Sequence, residues 1–188
     1  RLTRADVSEH YTWDLSPVYT DDAAWEADVA RLGDLTAALG AYEGRLGESA
    51  AVLEEALGAR EALGRAMERL QVYAGRRADE DTTVARNQAM IDRLASRAAD
   101  VRAAGAFVRP ELVALGAEAI HRFVAERPSL EVYRHFFDDV GRDRAHVLSA
   151  AEERLLAQAS ELALAPEAIY SRLVNADMDF GDVEDEQG

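Results

Sequence analysis

Apolar residues recur at every third or fourth position along most of this chain, the spacing of one face of an α-helix. A first run, Trp25 to Leu39, is expected to begin at a Thr20 cap. Two longer runs, Leu53 to Ala74 and Val84 to Val108, are joined by a short polar connector at residues 79–83. Two amphipathic helices with so short a link fold back antiparallel, because each then covers the other's apolar face. The pattern therefore predicts an all-α fold, built on an antiparallel helical hairpin with further short helices.

Residues that favour helix ends set the expected limits of the hairpin. Ser49 is placed to open the first of its helices, which we expect to stop near Arg77. Asp81 or Thr82 is placed to cap the second helix, which is expected to continue as far as Arg109.

Proline, glycine and serine predict shorter helices beyond the hairpin. Pro110 suits the first position of a helix, and Gly116 and Pro128 divide the stretch that follows. The segment Ser149–Glu152 fits a capping box, in which the serine and the glutamate each bond to the other's backbone N–H. Pro166 is expected to begin a separate last helix.

The C-terminal segment differs from the rest of the chain. Only residues 178–183 alternate in polarity as a strand does, and no second strand is apparent to pair with them. A lone strand leaves its backbone groups without hydrogen-bond partners. We therefore expect residues 1–176 to form a helical lobe, and residues 177–188 to begin a connector or strand that pairs outside this chain.

Composition excludes several classes of function. The chain has no cysteine, which removes disulfides, thiolate nucleophiles and cysteine-based metal sites. Its net charge of −15 opposes binding to nucleic acid, where affinity depends on cationic side chains. No apolar stretch suggests a membrane span or a secretory signal, so we expect a cytoplasmic protein with neither a nucleic-acid nor a membrane partner.

The histidines do not form a recognisable catalytic motif. They are His10, His121, His135 and His146. None is followed by Glu, so the zinc-binding helix H-E-x-x-H is absent. His135 and Asp139 would share a helix face, which suggests either part of a metal site or a local hydrogen-bonded pair. We favour the pair, because a metal site needs more ligands.

Two acidic segments resemble binding motifs only in part. Asp79-x-Asp81 begins like a calcium loop, but Val84 and Met90 stand where glycine and glutamate are required. The six carboxylates between positions 177 and 186 could attract a cation or a basic partner, although such a run is more often simply solvated. A solvated connector is the interpretation we favour for both.

An aromatic cluster offers a possible peptide groove. Tyr133, Phe136 and Phe137 would suit an apolar cleft, yet their helical spacing favours a place in the core. The sequence therefore assigns no catalytic, cofactor-binding or metal-binding residue to this chain.

Several segments, taken in order, resemble the oligoendopeptidase F family of zinc metallopeptidases, in the thimet oligopeptidase-like clan. They span essentially the whole chain: Trp13-Asp14-Leu15; Ala24-Trp25; Tyr73 with Asp79-Glu80-Asp81-Thr82; Pro110-Glu111-Leu112; Arg144 to Ser149 with Glu152-Glu153; and Ile169-Tyr170-Ser171, Asn175-Ala176-Asp177, Phe180-Gly181 and Asp185-Glu186-x-Gly188. His146 matches a family histidine, for which an orienting hydrogen bond is expected rather than a role as ligand.

The resemblance implies that this chain and the catalytic residues belong to different parts of one longer protein. In that family a helical N-terminal region forms one wall of a deep channel, and the catalytic half supplies H-E-x-x-H and the zinc ion. The resemblance therefore implies that this chain is a non-catalytic lobe, inactive alone. Its partners would be the catalytic domain of the same polypeptide and an oligopeptide substrate, with Zn²⁺ held by the catalytic domain.

A second hypothesis is a self-sufficient acidic helical module that binds other proteins and has no enzymatic activity. The two hypotheses differ in the surface they predict. A lobe has an exposed apolar face where the catalytic half docks, whereas an independent module exposes no large apolar patch.

Overall fold

The computed structural model describes residues 6–81, 84–142 and 148–178, and within these ranges it is all-α, which confirms the predicted fold class. The α-helices are α1 (Asp22–Gly40), α2 (Ala50–Glu80), α3 (Ala85–Gly105), α4 (Val108–Leu115), α5 (Ala117–Glu126), α6 (Arg134–Arg142) and α7 (Ala150–Arg172). Shorter helical turns are two 3-10 segments, Glu9–Tyr11 and Pro128–Tyr133, and a π-helical turn, Leu173–Asp177. Of the predicted strand only Met178 is described, so the strand stays a prediction. Thr82 and His146 also lie outside the described residues.

Helix α1 begins one residue later than predicted. Asp21 rather than Thr20 is its N-cap, and the Asp21 carboxylate accepts a hydrogen bond from the Ala24 backbone N–H at 2.8 Å. A carboxylate at this position also favours the positive end of the helix dipole. The cap places Trp25 in the first turn, where its ring is fully buried and its Nε1 donates to the Leu70 carbonyl of α2 at 3.1 Å.

Helices α2 and α3 form the predicted antiparallel hairpin. Ser49 caps α2 as expected, accepting from the Val52 backbone N–H at 3.2 Å. The helix runs to Glu80, one turn past the predicted stop at Arg77. The buried Asn87 of α3 donates from Nδ2 to the Arg77 carbonyl at 2.7 Å. This bond ties the start of α3 to the last turn of α2.

The second helix of the hairpin is shorter than predicted. It ends at Gly105, and α4 starts at Val108, so the prediction that one helix reaches Arg109 was wrong. The expected place of Pro110 was wrong for the same reason, since it is the third residue of α4 rather than the first. Helix geometry tolerates this shift, because a helix has no internal partner for any of its first N–H groups. Gly116 ends α4 in a positive-φ conformation, as its role as a divider suggested.

The core runs from α1 through the hairpin into α4, α5 and α6. Its fully buried members include Leu32 and Leu39 of α1 and Leu53, Leu57, Leu63 and Leu70 of α2. The α4–α6 helices add Leu112, Ile120, Phe123, Phe137 and Val140 to the same cluster. Helices α1 to α6 therefore share one core, which we call the helical body.

Helix α7 is a single helix, so the prediction of a separate helix beginning at Pro166 was wrong. Proline lacks an N–H and cannot donate to the carbonyl four residues earlier, at Leu162. Pro166 and Leu162 are both exposed, so this break in the hydrogen-bond ladder does not lie in the core. The predicted capping box is confirmed: Ser149 Oγ accepts from the Glu152 N–H, and the Glu152 carboxylate accepts from the Ser149 N–H at 2.9 Å. Hydrogen bonds donated to the Glu152 carboxylate by the Ser149 hydroxyl, and by the Ser149 backbone N–H, lower the pKa of Glu152.

Candidate docking surface

Helix α7 lies along α3 but adds no side chain to the core. None of its described side chains is buried, and none belongs to the hydrophobic cluster of the body. Arg154 near its start pairs with Glu43, and Arg172 at its end pairs with Asp92 of α3 at 2.5 Å. Both pairs are about half exposed, and exposed ion pairs contribute about 0–1 kcal/mol each. These ion pairs therefore contribute little to holding α7 against the rest of the described chain.

A stripe of large apolar side chains runs along the solvent side of α7. Leu155, Leu162 and Ile169 are 66%, 79% and 66% exposed, and Leu173 in the following turn is 47% exposed. At about 100° of rotation per residue these four side chains fall within roughly 40° of one another, over a length of about 27 Å. We call this stripe the outer face of α7.

The outer face points away from the body. On the same helical rotation Leu164 lies about 180° from Leu155 and Ala168 about 220° from it. Both of these residues line a groove against α2 and α3, which makes their side of α7 the inner one. Leu156 and Tyr170, 56% and 66% exposed, widen the outer face to about 140°. A stripe of that width is typical of a helix that faces a protein core.

Sequence reasoning identified the helices in this region but not the face. Leu155, Leu162, Ile169 and Leu173 were expected to be helical, and the lobe hypothesis required an exposed apolar face somewhere. The available signal was the alternating spacing of four and three that continues from Leu155 through Pro166 to Leu173. The expectation of a helix break at Pro166 cut that pattern in two.

The residue pair considered as part of a metal site forms the local contact that we favoured. His135 Nδ1 lies 3.2 Å from Asp139 Oδ2, and Arg142 hydrogen-bonds to the other oxygen of the same carboxylate. The hydrogen bond from Arg142, together with the charges nearby, lowers the pKa of Asp139. Both carboxylate oxygens of Asp139 therefore have partners on α6 itself.

The aromatic cluster packs with the core, as its spacing indicated. Phe137 is buried, and Tyr133 and Phe136 are half-buried against the same cluster. The Arg60 guanidinium lies over the Phe136 ring, 4.7 Å from its centroid. The Phe136 ring thereby connects α6 to α2.

Asp79 of the acidic connector, and the loop between α1 and α2, both form polar contacts with other residues of this chain. Asp79 pairs with Arg76 at 3.0 Å. In the loop after α1, the backbone N–H groups of Gly44 and Leu46 donate to the carboxylate of Glu111 in the first turn of α4. The Glu111 carboxylate is therefore the hydrogen-bond acceptor for both of these loop amides.

The described residues do not supply the donor set of a zinc site. No group of three or more histidine, cysteine, aspartate and glutamate side chains comes together among residues 6–81, 84–142 and 148–178. In that same part of the chain, no helix combines the length and apolar character needed to cross a bilayer. The acidic run at 177–186 lies almost entirely outside the described residues.

Comparison with known proteins gives a consistent result. The family model for oligopeptidase F matches residues 111–180. Oligopeptidase PepF of Bacillus subtilis is 32% identical over 98% of this chain, and group B oligopeptidase PepB of Streptococcus agalactiae is 35% identical over the same share. The chain spans only 28% and 31% of the lengths of these two relatives.

A solved structure agrees with the sequence relatives. The crystal structure of oligoendopeptidase-F from Enterococcus faecium superposes with a TM-score of 0.81 at 32% identity, covering 89% of this chain and 32% of that one. Identity along nearly the whole chain, the family match and the shared fold therefore place the chain in the oligoendopeptidase F family, where it matches the N-terminal region.

Proposed function

We propose that this chain is the non-catalytic N-terminal lobe of a longer zinc metalloendopeptidase that hydrolyses short oligopeptides, and that it forms one wall of the substrate channel. The observation that carries the proposal is the outer face of α7, uncovered in a chain that spans less than a third of its peptidase relatives. The lobe hypothesis requires such a face. The alternative, a self-sufficient acidic interaction module, predicts a surface without one.

The size of the outer face favours a partner in the same polypeptide. Full burial of each of the four side chains that form its central stripe would contribute about 1.5–3 kcal/mol, or roughly 6–12 kcal/mol in total. A separate partner must first offset about 4–15 kcal/mol of lost translational and rotational freedom. A partner joined covalently avoids most of that cost, so a face of this size suits docking within one chain.

The proposal assigns the chemistry to the remainder of the longer protein. Zinc would be held there, because the described residues of this chain bring no sufficient set of ligands together. The lobe would restrict access to peptides that can enter the channel, in a protein that we expect to be cytoplasmic. Hydrolysis by the lobe alone is not expected.

The test compares the 188-residue chain with the longer protein specified by its reading frame. A quenched oligopeptide should be cleaved by the longer protein alone, and a chelator should abolish that cleavage. In the longer protein, the double substitution Leu162→Asp with Ile169→Asp should remove most of the activity and lower the melting temperature. Val132→Asp, at a side chain 75% exposed outside α7, is the matched control and should change neither.

Two results would contradict the proposal. Zinc-dependent cleavage by the purified 188-residue chain would make it catalytic. A reading frame that stops after Gly188 would leave no catalytic half to dock, and would favour the interaction module.

A further inference from the structure

A groove of about 470 Å³ separates the inner side of α7 from the α2–α3 hairpin. Its lining shares no residue with the outer face of α7. Its lining includes Gln71 and Ala74 of α2, Leu94, Ala98 and Arg102 of α3, and Ala168 of α7. Its volume lies in the range of about 300–1,000 Å³ that is usual for small-molecule sites.

Small side chains on all three helices leave this space open. Ala74 and Ala98 are buried at its floor, and the inner residues of α7 that border it include Ala165 and Ala168. The larger Leu164 also borders the groove and stays 54% exposed. The groove is therefore an apolar surface in contact with water, and covering it with apolar atoms is favourable.

Arg102 supplies a positive charge at the edge of this apolar groove. Within the described part of the chain it makes no ion pair, although Arg97, on the same helix, has Asp100 at 3.9 Å. The reason is local, because the positions three and four residues away from Arg102 are Ala98, Ala99, Gly105 and Ala106. Among the described side chains, this guanidinium therefore has no acidic partner beside the apolar groove, in a chain whose net charge is −15.

We propose that the groove binds an aliphatic carboxylate, with its hydrocarbon chain between α7 and the hairpin and its carboxylate on Arg102. The guanidinium can donate two parallel hydrogen bonds to a carboxylate. The exposed Gln71 amide on the α2 side offers a further donor.

The lining selects an aliphatic chain over a peptide. Every buried amide of a bound peptide needs a hydrogen-bond partner, and an amide without one loses free energy on leaving water. Apart from Gln71 and Arg102, the groove is lined by alanine, glycine, leucine and isoleucine side chains, which offer no such partner. A hydrocarbon chain needs none. The inference is independent of the proposed peptidase role, which concerns the outer face.

The experiment is calorimetric titration of the 188-residue chain with decanoate, below its micelle concentration. We expect saturable binding at one site, with decan-1-ol binding at least about tenfold more weakly because it lacks the charge that Arg102 recognises. Arg102→Gln should weaken decanoate binding by about the same factor. Arg97→Gln is the matched control and should leave the affinity unchanged.

A second pair of variants locates the hydrocarbon chain. Ala168→Phe should fill the groove and weaken decanoate binding at least about tenfold, whereas Ala163→Phe, on the outer side of the same helix, should not. Both positions are exposed, so neither substitution disturbs the core. The inference is overturned if decanoate does not bind, if the alcohol binds as tightly, or if Ala163→Phe weakens binding more than Ala168→Phe does. The last result would place the ligand on the outer face.

Discussion

Helices α3 and α7 are nearly equal in length, 21 and 23 residues, and lie side by side, yet they relate to the core in opposite ways. Helix α3 buries Asn87, Met90, Leu94 and Ala98, whereas α7 buries none of its described side chains. Most of a helix's stability in a protein comes from the packing of its apolar face. The comparison indicates that α3 is stabilised by packing within this chain, while the outer face of α7 meets no apolar partner among the described residues.

The largest effect is the expected difference in stability loss between replacing a core leucine and replacing a leucine of the outer face. Leu53 is fully buried in α2, so Leu53→Ala should lower the free energy of unfolding by about 2–5 kcal/mol. The same substitution at Leu162, 79% exposed, should change it by no more than about 0.5 kcal/mol. Urea denaturation of the two variants measures both values. Equal losses would mean that α7 is as much a part of the core as α2.

A smaller effect is expected where the body contains a polar contact. Tyr73 is buried in α2, and its hydroxyl donates to the Asp22 carboxylate at 2.8 Å. Tyr73→Phe removes this hydrogen bond and should lower the free energy of unfolding by about 1 kcal/mol at neutral pH. A substitution without effect would show that water replaces the contact at no cost.

The same contact predicts how the body responds to alkaline pH. Burial and the neighbouring Asp22 carboxylate raise the pKa of Tyr73 from 10.0 to about 12, because both disfavour the phenolate. The protonated form is thus favoured in the folded state, so this stabilisation is complete below pH 10 and is lost as the pH rises through about 12. The pKa of Tyr19, whose hydroxyl donates to Asp28 at 2.9 Å, is likewise raised to about 12 by burial and by that carboxylate. Thermal melts from pH 8 to pH 12 should show a decline that is shallower in Tyr73→Phe than in the parent chain.

Removal of the N-terminal cap of α7 should affect stability only locally, within that helix. Ser149→Ala removes half of the capping box, which typically costs about 1 kcal/mol of helix stability. Because α7 contributes nothing to the core, we expect faster amide hydrogen exchange in its first turns and an unchanged global unfolding midpoint. Ser49→Ala, at the cap of α2, is the matched control and should shift the midpoint. A shift of similar size in both variants would contradict the separation of α7 from the body.

The smallest effect is expected at the ion pair that ends α7. Arg172→Gln removes the contact with Asp92, in which both side chains are about half exposed. A loss of at most about 1 kcal/mol is expected, confined to exchange rates in the last turns of α7 and decreasing with added salt. A loss that does not change with salt would indicate a packing role for the arginine side chain.

Much of the fold followed from local chemistry. The spacing of apolar residues located the hairpin, and Ser49 and the Ser149–Glu152 capping box marked two helix starts correctly. The larger errors were at prolines. Pro110 and Pro166 were both read as helix starts, but one is the third residue of its helix and the other lies inside α7. Proline restricts the backbone without fixing where the neighbouring residues begin to pack.

The sequence by itself determined the helical class, the antiparallel hairpin, the caps at Ser49 and Ser149 and the family resemblance, because each of these depends on residues close together in the chain or on their order. Tertiary structure decided which side of α7 faces the hairpin. Leu164 and Ala168 lie on one side of that helix and Leu155, Leu162 and Ile169 on the other. Helical periodicity reveals that both sides carry apolar residues, but only the shape of α2 and α3 determines which side they contact. The groove depends on the same long-range packing, since its lining joins α7 to the α2–α3 hairpin, which lies far from α7 in the chain.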